Sequence, residues 1–87
     1  MPTRAEVYQA IDTERAYQDA GAGNAKRHPN MLPMTQGEIL LCIKKLMDDA
    51  TAAWCSPGGR EACLPHIRKI AGVCVQCMER FGAPARE

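Results

Sequence analysis

Apolar residues recur at helical spacing in three stretches of the chain, separated by two segments rich in glycine and proline. The clearest stretch carries Ile39, Ile43, Leu46, Met47, Ala50, Ala53 and Trp54 at offsets 0, 4, 7, 8, 11, 14 and 15. These offsets place all seven on one face of an α-helix. Thr35-Gln36-Gly37-Glu38 precedes them with the form of a capping box, and Met34 and Ile39 occupy the two positions of a hydrophobic staple. Thr3-Arg4-Ala5-Glu6 repeats the box near the start of the chain, ahead of a thinner stripe of Val7, Tyr8, Ile11 and Tyr17. The pattern predicts helices over about 3–19, 35–55 and 60–81, with a loop over 20–34 where two glycines and two prolines interrupt all periodicity.

Ser56-Pro57-Gly58-Gly59 is too short to do anything but send the third helix back along the second, so residues 35–81 read as an antiparallel helical hairpin. Cys63 and Leu64 continue the third stripe through Ile67, Ile70, Ala71, Cys74 and Met78, which favours a helix that starts near Arg60 and kinks at Pro65 over one that begins at Pro65. Gly82 is the expected C-cap. Between Ile70 and Met78 only Gln76 is polar, and a helix apolar on nearly every side must be covered on nearly every side. Two companion helices cannot do this in so short a chain. The expected fold is therefore a small all-α, three-helix domain completed by oligomerisation, with Gly72, Val73, Val75 and Trp54 as interface candidates.

Composition narrows the function. Eighty-seven residues with 46% hydrophobic and 24% charged residues describe one folded domain, which excludes a multidomain enzyme. A net charge of +1 leaves no overall basic field, so generic nucleic-acid or membrane-surface binding is not expected and any such site must be local. The first twenty residues carry Arg4, Glu6, Asp12, Glu14, Arg15 and Asp19 without an apolar run, so neither a signal peptide nor a spanning helix is expected and the location implied is the cytoplasm.

Five cysteines (Cys42, Cys55, Cys63, Cys74, Cys77) make an odd number set largely within apolar stripes, which fits small buried hydrophobes better than a disulfide framework. Cys63-x-x-His66 and Cys74-x-x-Cys77 have zinc-like local spacing. On one helix, however, His66 and Cys74 are separated by about 12 Å of rise, too far for one ion. Cys74-Val75-Gln76-Cys77 lies deep in a helix, whereas a thioredoxin-like motif opens one after a strand. No metal ligand set or cofactor is assigned. No Ser, His and Asp arrangement or glycine-rich phosphate loop is present. His28 beside Lys26 and Arg27 reads as a solvated basic turn, the Glu14-Arg15 and Tyr17-Gln18-Asp19 cluster as intrahelical pairing, and Trp54 as packing rather than a stacking platform.

Glu14-Arg15-x-Tyr17-Gln18-Asp19, a long helix from Glu38, Ile67-Arg68-Lys69-Ile70-Ala71, Cys77-Met78-Glu79 and Gly82-Ala83-Pro84-x-Arg86 together resemble a set of small tailed-phage proteins, and the likeness spans most of the chain. The order of elements is also similar to phage-type MazG-like proteins, the all-α nucleoside triphosphate pyrophosphohydrolases. That family holds magnesium with a Glu-Glu-x-x-Glu run on one helix and a Glu-x-x-Asp run on the next. Carried across by register, the first run falls on Lys44, Lys45 and Asp48 and the second on His66 and Lys69. Four of these five positions cannot bind magnesium, so the resemblance implies a degenerate site that has lost the reaction.

What stands there instead is a basic set: Lys44, Lys45, His66, Arg68 and Lys69, on two helices that the hairpin brings together. These are either solvated faces or a surface that takes an anion without a metal. The phage resemblance implies a non-catalytic binding protein of the counter-defence or host-takeover kind, sequestering a nucleotide-like anion or blocking a host immune complex. Two alternatives stand beside it. One is a magnesium-dependent pyrophosphohydrolase whose acids come from Glu38, Asp48, Asp49, Glu61 and Glu79; the other is a structural oligomer without a ligand.

Overall fold

A computed structural model describes residues 1–22 and 35–86 as an all-helical arrangement. Helix α1 spans Arg4–Tyr17 and continues as one wider π-helical turn over Gln18–Ala22. Helix α2 spans Gln36–Trp54 and helix α3 spans Gly59–Phe81. The three pack together, with α3 in the middle, touching α2 along the hairpin and α1 on another side. No described helix is long and apolar enough to cross a membrane.

Both capping boxes form. Thr3 Oγ1 accepts from the Glu6 amide at 3.2 Å while the Thr3 amide donates to Glu6 Oε1 at 3.1 Å. Thr35 and Glu38 make the same reciprocal pair at 3.2 and 3.0 Å. Each box satisfies two amides that a helix start leaves free. The chain reverses between Trp54 and Gly59, where Gly59 has φ +49°, a left-handed backbone that side-chain-bearing residues resist. Helix α3 then runs through Pro65 without interruption and ends at Gly82, whose amide donates to the Met78 carbonyl at 2.9 Å.

Three expectations change. The loop read over 20–34 begins later, because residues 20–22 belong to the π-helical turn. The rest of that segment, with His28, its basic neighbours and the Met34 half of the staple, lies outside the described residues; the other half, Ile39, is 1% exposed. The cysteines are not a buried set: all five are free, four are half-buried, and Cys55 is exposed. Trp54 ends the α2 stripe but stands 58% exposed, so of the core or interface packing expected of it the core half does not hold within the chain.

The interior is unusual for what it holds. Among the described residues only Ile39 and Ala50 are buried apolar residues, whereas Glu14 and Arg15 on α1 are buried too. The thin apolar stripe of α1 contributes little to its docking, since Val7, Tyr8 and Tyr17 stay exposed and Ile11 is half-buried. Charge and close approach contribute the rest. Gly72 of α3 lies under α1: a Cβ there would come within 2.8 Å of Glu14 Cγ and 2.9 Å of Gln18 Nε2. The close helix approach expected of Gly72 is thus made by α1 of the same chain, which corrects its assignment to an oligomer interface. Val73 and Val75 are half-buried.

Candidate functional site

The cluster read as intrahelical pairing reaches across to α3. Arg15 donates to Gln18 at 3.0 Å and to Asp19 at 2.8 Å on its own helix, and its Nε donates to Glu79 Oε1 at 2.7 Å. Glu14 accepts from Gln18 Nε2 at 3.2 Å and from Arg68 Nε at 3.0 Å. Two buried charges of opposite sign are thereby each satisfied, which is the condition for their burial. The Arg15 guanidinium, hydrogen-bonded first of all by Glu79, is held more firmly protonated than usual. The π-helical turn begins at Gln18, and both Gln18 and Asp19 face Arg15 from it.

This latch sets the geometry of an open groove of about 480 Å³ between α1 and α3. From α1 the groove is lined by Ala10, Thr13, Glu14 and Tyr17, and from α3 by Pro65, His66, Arg68 and Lys69. Tyr17 is 59% exposed, so its side chain can be reached by a ligand in the groove. Arg68 uses Nε on Glu14, and its two terminal nitrogens hydrogen-bond no described residue. Lys69 makes no ion pair among the described residues, while its carbonyl lies 3.5 Å from Gln18 Nε2. The groove thus offers cationic side chains from α3 and an aromatic side chain from α1.

Of the five basic residues singled out in the sequence, His66, Arg68 and Lys69 share this groove. Lys45 sits elsewhere, bonded to Asp49 at 2.5 Å on its own helix. The hydrogen bond from Lys45 holds the Asp49 carboxyl below the usual range, and the fields of His66 and Lys69 add to it across the hairpin. One anion of the chain therefore already lies near three of the five cations. Lys44 is exposed on α2 and does not line this groove. Tyr17 is the residue that reasoning from sequence left in a stripe; only the placement of α1 on α3 makes it part of a site.

Three acids of the hydrolase alternative are engaged in other partnerships. Glu38 closes the α2 capping box, Asp49 is held by Lys45, and Glu79 by Arg15. Among the described residues no three His, Cys, Asp or Glu side chains converge as metal ligands would. No known protein family, curated protein or solved structure matches the chain.

Proposed function

We propose that the chain is a non-catalytic binding protein that sequesters a nucleotide-like anion in the α1–α3 groove. The single observation that carries the reading is the pairing, in one open groove, of the exposed Tyr17 ring with Arg68 and Lys69. An aromatic face takes a base by stacking, and a guanidinium with free terminal nitrogens takes a phosphate. The phage resemblance supports a counter-defence or host-takeover setting, in which removing a signalling nucleotide needs affinity and no turnover. The dispersal of Glu38, Asp49 and Glu79 into other partnerships supports the same reading over a magnesium-dependent pyrophosphohydrolase.

The test is calorimetry with nucleoside mono-, di- and triphosphates against the whole chain and against Lys69→Glu and Tyr17→Ala. Each substitution should weaken binding at least tenfold, a change of about 1.4 kcal/mol. If none of these ligands binds, or if both variants bind like the parent, the groove is not the site. Release of pyrophosphate in the presence of magnesium would overturn the non-catalytic reading instead.

A further inference from the structure

The surface of the hairpin away from α1 carries a second pattern. On α2, Leu40, Ile43, Met47, Ala50 and Trp54 follow one another at spacings of three, four, three and four. On α3, Leu64, Ile67, Ala71, Cys74, Met78 and Phe81 do the same. Alternating three and four is the period of a helix seam that packs against further helices at a shallow angle, as in coiled coils and four-helix bundles. At 100° per residue, Ile67 and Met78 lie about 140° and 120° round α3 from Gly72, so α1 cannot cover them. Leu40, Met47, Trp54, Leu64, Ile67, Met78 and Phe81 are accordingly between 46% and 58% exposed. Between the two stripes lies an apolar groove of about 290 Å³, where Met47, Ala50 and Trp54 face Cys63, Ile67 and Ile70 without a charged residue.

We propose that a second copy of this chain lays its own α2–α3 hairpin on this face, closing a four-helix bundle about a two-fold axis. Three observations select that occupant. The seam period calls for helices, and a bundle that already has two antiparallel helices lacks two more, which is what one further hairpin supplies. Seven half-exposed side chains at roughly 100 Å² apiece come to about 700 Å², near the ~800 Å² that each partner gives to a standard interface. Only Ile39 and Ala50 are buried apolar residues among the described ones, and no disulfide staples the fold. A domain this small needs such cover whenever it is folded, so the cover must be always at hand, and another copy is. The face is separate from the α1–α3 groove, so the two proposals stand or fall independently.

Trp54, the only tryptophan, reports on the interface directly. Sedimentation of the whole chain at micromolar concentration should give a mass at least twice 9.5 kDa. Its tryptophan emission should be blue-shifted and move to the red on dilution, and its melting temperature should rise with protein concentration. Ile67→Gln should move the dilution midpoint at least tenfold higher, because two-fold symmetry counts the substitution twice. A folded 9.5 kDa species with solvent-like emission and a concentration-independent melt would overturn the proposal. So would an oligomer with solvent-like Trp54 emission, or one that Ile67→Gln leaves equally tight, since its contact would lie elsewhere. Should Ile67→Gln unfold, the emission and concentration series on the parent chain decide the matter alone.

Discussion

Arg15 of α1 donates from Nε to Glu79 of α3 at 2.7 Å, across 64 positions of sequence, and this pair with Glu14–Arg68 fixes how α1 lies on the hairpin. The two ends of the bond differ in burial: the Arg15 side chain is 10% exposed and that of Glu79 is 55% exposed. Removing the buried end also loses the bonds to Gln18 and Asp19 and should cost more than removing the exposed one. Arg15→Leu is expected to lower unfolding stability by about 1–3 kcal/mol, and Glu79→Gln by at most ~1 kcal/mol. Urea titration followed by circular dichroism separates them. Equal losses would mean that Arg15 contributes no more than its surface ion pair.

Gly72 and Gly37 are both helical, and alanine should act oppositely at the two. Alanine gains about 1 kcal/mol over glycine inside a helix. At Gly37, in the first turn of α2, the nearest atom to a new Cβ is Thr35 Oγ1 at 4.0 Å, so a part of that gain should appear as stability. At Gly72 the new Cβ would meet Glu14 Cγ at 2.8 Å, on a buried side chain already fixed by Arg68, and overpacking costs about 1–3 kcal/mol. Gly72→Ala is therefore expected to destabilise and Gly37→Ala to stabilise. A stabilised Gly72→Ala protein would show that α1 does not press on this glycine.

Acid should weaken the fold through its exposed carboxylates. Hydrogen bonds from the Thr3 and Thr35 amides hold Glu6 and Glu38 below their usual range, and the Lys45 bond does so for Asp49. A depressed folded-state value means stabilisation that is present above the unfolded-state value and is lost as pH falls through the folded one. Stability should hold above about pH 5 and decline below about pH 4. Glu38→Gln keeps an acceptor for the cap but does not titrate, so its acid limb should be shallower than the parent's. An identical slope in the two proteins would count against this origin.

Much of this architecture is written locally. Thr3 with Glu6 and Thr35 with Glu38 lie three apart, Gly59 and Gly82 sit at chain reversals or ends, and each works through its immediate neighbours. Periodicity likewise exposes the α2 stripe. The docking of α1 is different in kind, because nothing in the spacing of Glu14 and Arg15 reveals that their partners are Arg68 and Glu79. The same limit applies to the groove. A hairpin brings Lys45, His66 and Lys69 near Asp49, and that follows from two stripes and a short turn. Tyr17 joins Arg68 and Lys69 only through the long-range latch. Apolar composition along α3 signals a need for cover without saying which side α1 takes, and Gly72 falls on the side that α1 takes.

Arg68 belongs to both the latch and the groove, and this overlap distinguishes a built site from a scatter of surface cations. Its Nε neutralises the buried Glu14, the residue also lines the groove, and its terminal nitrogens hydrogen-bond no described residue. Arg68→Ala strands a carboxylate that is 6% exposed with Gln18 as its remaining partner, and should cost about 1–3 kcal/mol of stability together with any anion affinity. Lys69→Ala should leave stability within ~0.5 kcal/mol and reduce affinity alone, because Lys69 pairs with no described carboxylate. Adding Glu14→Gln to Arg68→Ala removes the stranded charge, so stability should recover in part while affinity does not. Parallel melting and calorimetry on the three variants check this. If the double variant regains binding along with stability, Arg68 serves the fold only, and the anion is held by other groups.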